Sequence, residues 1–265
     1  MYQENSGVVS ARVNGVKHAH GEWIGFVDGD DVIEEDMYEF LLSNALENDA
    51  QISHCGYKKV FDNGETISYY DTGKIVHQDN ISALEDLISG VFIEPSLCNK
   101  LYHNSLIQSF LQSNNFDYSI RNFEDLLINY YLFKECNSSI YEDRCKYCYL
   151  SRIGSASKST ESPTFFFDIK KVFETIMNDS VEYNINVSNI AFYRYISFLI
   201  DNSTSSNKDV CLEILKNNSS KIISASFISK KIKIKFVLTV YFHSLFCFIK
   251  RIYYRVNRKD GVHFE

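Results

Sequence analysis

Apolar residues recur along this chain in two rhythms, one of about 3.6 residues and one of about two, and the switches between them outline its elements. Residues 7–19 (GVVSARVNGVKHA) read as a helix, with Val8, Val9, Ala11 and Val16 available for a buried face. Gly21 breaks that helix, and the run from Trp23 to Val27 reads as a short buried strand. A second helix is predicted from Glu35 to Leu46, because Met37, Phe40, Leu41 and Ala45 stand at i, i+3, i+4 and i+8. Gln51 to Phe61 alternates as a strand does, and the turn Asp62 to Gly64 predicts a hairpin into ETISYYD. Further helices are predicted over 81–88, 105–111 and 123–133. The last places Phe123, Leu126, Leu127, Tyr130 and Tyr131 on one stripe. SSIYEDRCKYCYLSR alternates again, and from about Ser162 the pattern is helical to the end. The reading is an α/β domain over 1–160 followed by a helical region over 161–265.

Composition narrows the class. With 265 residues, 45% hydrophobic and 23% charged, the chain can bury a sizeable core and is not globally disordered. Its net charge of −7 argues against nucleic acid as a partner. Seven scattered cysteines behind a start (MYQENSG) that has no basic or apolar leader pattern imply free thiols in the cytoplasm. Cys145 and Cys148 form a CxxC, but no second pair stands at zinc-site spacing, so they read as structural.

Residues 230–259 differ in kind. KKIKIK leads into FVLTVYFHSLFCFI, and KRIYYRVNRK follows. The apolar stretch is shorter than the roughly 20 residues that cross a bilayer. Basic flanks and interspersed aromatics suit a helix lying in a membrane interface; a basic-capped helix packed on the domain is the plainer alternative.

The chemistry concentrates at GEWIGFVDGDD, where an apolar run ends in Asp28, Asp30 and Asp31. Three readings compete. Acids favour the first turn of a following helix. A calcium loop would need a further acid or amide at 32 and glycine after it, where Val32 and Ile33 stand, so that reading fails. The third is a divalent cation gripping a diphosphate, since ligands of open α/β sheets bind beyond the carboxyl ends of strands and closely spaced carboxylates there can share a hard cation.

Residues 5–31, NSGVVSARVNGVKHAHGEWIGFVDGDD, resemble the middle of the family 2 glycosyltransferases, inverting enzymes of the GT-A fold. Asn5, Gly7, Ala11, Arg12, Gly15, Gly21, Glu22, Asp28, Asp30 and Asp31 fall in the family's order and spacing, while Val13 stands where the family carries Asn. Downstream, SLCNKLYHNSLI resembles the family's acceptor-side segment. RNFEDLLINYYLF resembles the helix that opens on a Glu-Asp pair, here Glu124 and Asp125. YCYLSRIGSASKS resembles the closing strand and loop, with Arg152, Gly154 and Ser155. The resemblance covers roughly residues 4–158.

This resemblance implies a partial GT-A (Rossmann-like) nucleotide-diphospho-sugar transferase domain followed by the helical region. It implies inverting transfer from a nucleotide-diphospho-sugar, taken as a UDP-sugar, to a saccharide or lipid-linked acceptor. The setting would be bacterial cell-surface polysaccharide biosynthesis, in the cytoplasm or peripherally on the inner face of the membrane. Asp28 and Asp30 would hold Mn2+ or Mg2+. Asp31 would support that site or cap the next helix. By the same pattern Asp125 is the base and Glu124 orients acceptor or base, although Asn122 and Asp125 are also spaced for helix capping. Arg12 would meet phosphate, hold the Asp loop or form a plain ion pair, and Arg152 would close over the diphosphate.

The family's opening strands, which hold uracil and ribose, have no counterpart ahead of Asn5. The resemblance therefore implies a donor site without its nucleotide-binding floor, an exposed strand edge at WIGFVD, and weak or no activity of the chain alone. The alternative function is a non-catalytic remnant serving as an interaction or membrane-associated module.

Overall fold

In a computed structural model of the protein, residues 2–68, 70–113, 116–151 and 164–257 are described. The elements run α1 (Val8–Lys17), β1 (Trp23–Gly25), β2 (Val32–Ile33), α2 (Met37–Glu47), β3 (Ile52–Phe61), β4 (Thr66–Ser68), β5 (Ile75–Gln78) and α3 (Asn80–Ser89). Then follow β6 (Lys100–His103), α4 (Asn104–Gln112), α5 (Glu124–Glu135), β7 (Ser139–Ser151) and α6 (Phe165–Ser180). The chain ends in α7 (Ile185–Asn202), α8 (Lys208–Asn217), α9 (Ser219–Ser224), α10 (Lys230–Tyr241) and α11 (His243–Asn257). It divides into two compact units, Met1–Ser188 and Asn189–Glu265, with the division inside α7.

The first unit is built on a mixed sheet of order β1-β6-β3-β7-β2, with β4 beside β3 and β5 beside β7. Its spine is the parallel pair β3 and β7; β6 joins β3 and β1 joins β6, both antiparallel. The hairpin read from Asp62 to Gly64 is present: Gly64 takes φ 82, and Phe61 N–H donates to Glu65 O at 2.9 Å. Both faces of the spine are covered. Met37, Leu41, Cys55, Cys98, Leu101 and Tyr147 form one buried cluster under α2. Helix α5 is buried almost all round, as a central core helix must be, with Leu126, Leu127, Tyr130, Leu132 and Phe133 inside.

Several expectations need correction. The strand read from Trp23 to Val27 is only three residues long; Ile24 is buried but Gly25 and Val27 are exposed. It heads the strand order with only β6 beside it among the described residues, so half of its backbone edge lacks a ladder. Gly25 admits the Tyr38 ring, with which a Cβ there would clash. Helix α1 buries Val9 and Val16, while Val8 and Ala11 are exposed. Phe123 does not join the α5 stripe: it precedes the helix at φ 61. The strands β2, β5 and β6 are two to four residues long, too short for an alternation to be read.

The second unit is helical, with Phe192, Ile196, Leu199, Cys211, Leu215 and Phe236 buried. All seven cysteines are free. No helix among the described residues is long and apolar enough to cross a membrane.

Candidate active site

The site is assembled around one guanidinium. Arg12, on α1, donates from Nη2 to Asp28 Oδ1 at 3.1 Å and from Nη1 to Glu124 Oε1 at 3.0 Å. It thereby joins the Asp loop after β1 to the first turn of α5, across 112 residues of sequence. The Arg12 and Glu124 side chains are only 16% and 11% exposed, whereas Asp28 is 43% exposed. Two of the three readings of Arg12 concern its carboxylate partners, and its observed bonds are of that kind.

Asp31 faces the other way. It accepts from Tyr147 Oη at 2.6 Å and from Leu150 N–H at 2.9 Å, both on β7. Tyr147 Oη also lies 3.4 Å from the Asp28 amide, so one phenol pins both ends of the loop. The reading of Asp31 as a helix cap is thus overturned. Strand β2 intervenes, α2 starts only at Met37, and its N-cap Asp36 makes no side-chain cap bond. Burial pushes the Asp31 pKa up against the opposing bonds from Tyr147 and Leu150, and the neighbouring charges of Asp30 and Asp28 add to the rise. Asp30 is exposed on the same turn.

Glu124 and Asp125 open α5 behind a residue in the left-handed region, a conformation that costs a non-glycine of order 1–3 kcal/mol and persists only where packing enforces it. The capping alternative is not what the side chains do. No side chain caps α5, and Asn122 donates instead to Asp168 Oδ2 at 2.7 Å. Burial raises the Glu124 pKa to about 7, and the adjacent Asp125 charge adds to the rise, outweighing Arg12. Burial also raises that of Asp125, against the pull of Arg12 and Lys100. Side-by-side carboxylates divide such a rise: while one keeps its proton, the other can ionise.

Lys100 of the NKLY segment was not singled out by sequence reasoning. It is fully buried, and its ammonium donates to Glu94 O (2.6 Å), Ser96 O (2.5 Å) and Asn99 Oδ1 (2.6 Å), using all three donors. Burial lowers its pKa to about 8, opposed by Glu94, Cys55 and Asp125. The available signal was a lysine inside an otherwise apolar strand pattern. Tyr147 carried no such signal, because alternation alone does not say which strand face meets the Asp loop.

The structure therefore brings together Arg12, Asp28, Glu124 and Asp125, with Asp30 beside them on the loop. Arg152 lies outside the described residues. Among the described residues no three acidic, histidine or cysteine side chains converge on one point, so an all-protein metal cage is not formed. A Mg2+-type ion, which keeps waters and is held by one or two carboxylates plus substrate phosphates, does not need such a cage.

Comparison with known proteins bears on the family and the fold. Residues 2–110 match the family model "Glycosyl transferase family 2". Glycosyltransferase GlyG of Streptococcus pneumoniae serotype 4 is 25% identical over 235 residues, 81% of this chain and 75% of that protein. Glycosyltransferase EpsJ of Bacillus subtilis, described as uncharacterized, is 44% identical over 59 residues, 22% of this chain and 17% of that protein. Among solved structures, S. aureus TarS 1–349 superposes with a TM-score of 0.59 at 17% identity, covering 91% of this chain and 63% of that one. The same TarS fragment in complex with UDP-GlcNAc gives 0.56 at 18% identity, covering 91% of this chain and 64% of that one. At such identities the likeness to TarS establishes the fold alone, an α/β architecture followed by helices. The chain spans less than two thirds of those TarS chains.

Proposed function

We propose, from the match of residues 2–110 to the glycosyl transferase family 2 model, that the chain transfers a sugar from a nucleotide-diphospho-sugar to an acceptor hydroxyl with inversion. The observation that supports this reading is the Arg12 bridge, which ties the Asp loop to the first turn of α5, where Glu124 and Asp125 stand. A UDP-sugar is the proposed donor, since TarS has been solved with UDP-GlcNAc. In the step itself, Asp125 takes the proton of the acceptor hydroxyl. The freed oxygen bonds to the anomeric carbon from the face opposite the diphosphate, and the carbon–diphosphate bond breaks, its electron pair leaving with UDP.

Each side chain has a part in that step. Asp28 and Asp30 would hold a Mg2+ or Mn2+ ion, which when bound neutralises charge developing on the leaving diphosphate. Tyr147 and the Leu150 amide keep Asp31, and so the loop, in place. Glu124, whose pKa burial raises to about 7, shares the local charge with Asp125, which ionises more readily while Glu124 holds its proton. Arg12 holds both halves of the cleft together. Those two carboxylate bonds use two of the guanidinium's five N–H donors, so a contact with donor phosphate does not require either to open, and Arg152 is the second proposed phosphate contact. The proposed setting is assembly of bacterial cell-surface polysaccharide on a saccharide or lipid-linked acceptor.

The test is release of UDP from UDP-GlcNAc with Mg2+ or Mn2+ present and then chelated. Turnover should need the ion and should fall by at least about 100-fold in Asp30→Ala, the scale of losing a charge-stabilising group. Undiminished turnover in that variant would remove the metal assignment, and no turnover in wild type would favour the non-catalytic reading.

Peripheral contact with an anionic membrane belongs to the same proposal. In α11, Leu245, Phe248, Ile249, Ile252 and Tyr253 follow i, i+3, i+4, i+7, i+8 spacing, yet each is 45–60% exposed. Residues 230–257 carry seven lysines and arginines and no acid. The chain's net −7 thus becomes −14 without them. Lys250 anchors the opposite side of α11 by donating to Asp201 O at 2.6 Å. Sedimentation with phosphatidylcholine vesicles containing phosphatidylglycerol should capture the protein at low salt, and Phe248→Ala with Arg251→Glu should release it. Equal capture by neutral vesicles, or none by either, would exclude an electrostatic interfacial helix.

A further inference from the structure

A cavity of about 240 Å³ opens between β3, β7 and the loop that leaves α3. Its walls include Tyr57 and Gly56 of β3, Tyr141 of β7, Phe92, Glu94 and Asn99. The opening has a structural cause. The β3–β7 ladder shifts register on both sides of Gly56, and irregularities of this type re-aim side chains next to functional sites. A Cβ at Gly56 would meet Arg144 O at 3.3 Å, so the glycine keeps the bulge closed and the cavity floor clear.

Most polar groups around the cavity are already engaged. Asn99 donates to Cys55 O at 2.5 Å and accepts from Lys100, and Tyr141 donates to Asp143 at 2.9 Å. Glu94 differs: among the described residues its carboxylate has no hydrogen-bond partner, although it is partly buried and lines the cavity. Burial raises its pKa, with Lys100 and Lys59 opposing and Asp125 adding to the rise. Its backbone, by contrast, is fixed. Lys100 bonds Glu94 O, and Asn129 of α5 donates to Pro95 O at 2.5 Å. The segment that aims Glu94 is therefore bolted to the helix that carries Asp125.

Aromatic rings share the lining of the cavity with this carboxylate. Phe92 lies 6.0 Å from Tyr141, which stacks on His54 at 4.9 Å, and Lys74 covers the Phe92 ring at 4.4 Å. Aromatic faces with a negative quadrupole receive polarised C–H bonds, and a carboxylate without a partner receives hydroxyl protons. A pyranose presents both C–H faces and hydroxyls and matches this pairing. The volume lies just below the ~300–1,000 Å³ of pockets for drug-sized ligands, which suits one ring rather than an extended chain.

We propose that this cavity seats one neutral sugar ring of the acceptor, with Glu94 accepting from its hydroxyls and Phe92 and Tyr141 packing against its faces. The inference rests on the glycosyl-transfer reading and identifies the acceptor as a saccharide on the Asp125 side of the cleft. Glu94 is a specificity-determining residue in this scheme and takes no proton from the reacting hydroxyl.

Saturation-transfer NMR on the full chain tests it, using the methyl glycosides of glucose, galactose and N-acetylglucosamine, with UDP binding followed in the same samples. At least one glycoside should bind wild type. Glu94→Gln, which keeps size and shape, and Phe92→Ala should each weaken it about five- to tenfold, the loss of one or two hydrogen bonds or a ring contact. UDP binding should be unchanged in both. If none of the three glycosides binds, or if binding survives both substitutions undiminished, the proposal is overturned. Glycoside binding without UDP binding would instead count against the donor reading and leave this cavity's assignment standing.

Discussion

Asp125→Asn is expected to lower sugar transfer by ~10²–10⁴-fold, the range for loss of a positioned general base, while UDP binding stays near wild type. The amide preserves the shape of the carboxyl and its bond to the Leu126 amide, now 2.8 Å, so the loss would report chemistry rather than misfolding. A raised pKa places the base closer to working pH, where a proton acceptor is strongest. The direction follows from burial, with Arg12 and Lys100 limiting the rise. The wild-type rate should therefore fall on the acid side as Asp125 gains its proton, and the residual rate of the variant should lose that limb. Transfer by Asp125→Asn within threefold of wild type would show that the base lies elsewhere. Glu124→Gln provides the comparison: it should reduce the rate less and shift the acid limb, because removing the neighbouring titration changes how the pair ionises.

Arg12→Ala carries the largest expected cost to stability, about 3 kcal/mol at pH 8, since removing one partner strands a buried charge. Glu124 supplies that cost, being almost enclosed, while the half-exposed Asp28 is screened by water and adds little. The pH dependence has a definite sign. In the folded wild type Glu124 titrates near 7 against an ordinary 4.5. Between those values the unfolded chain has ionised while the folded one still holds the proton, so stability falls as pH rises and the penalty is complete above about 7. Losing Arg12 pushes Glu124 further up. At pH 5.5 the variant keeps Glu124 neutral, and its deficit should shrink markedly. Urea unfolding at the two pH values checks this, and an equal deficit at both would mean that Arg12 acts through packing alone. Activity should collapse at either pH, because the Asp loop and α5 lose their common anchor.

Much of this molecule could be read from local pattern. The helices over Glu35–Leu46 and 123–133, the hairpin at Asp62–Gly64 and the long strand of SSIYEDRCKYCYLS are each dictated by periodicity and turn chemistry acting over a few residues. The order of Asn5, Arg12, Asp28, Asp30 and Asp31, with Glu124 and Asp125 downstream, was enough to recognise the family that residues 2–110 match. Other features were not legible because they depend on partners distant in sequence. Strand β6 is four residues long and exists through its neighbours β1 and β3. For Asp31 the sequence left open support of the acidic loop or a helix cap, and the choice depends on β7, which sets Tyr147 and the Leu150 amide against it.

The amino-acid order alone determined which residue types are available and the local elements that carry them, since hydrophobic period, glycine placement and acid spacing are properties of short segments. Only the tertiary structure decided which acids share a cleft, that Lys100 is buried with every donor used, and that Glu94 faces a cavity without a partner. The reason is physical: burial and charge pairing are set by groups tens to a hundred residues apart in the chain, and their free energies exist only once packing has excluded water between them.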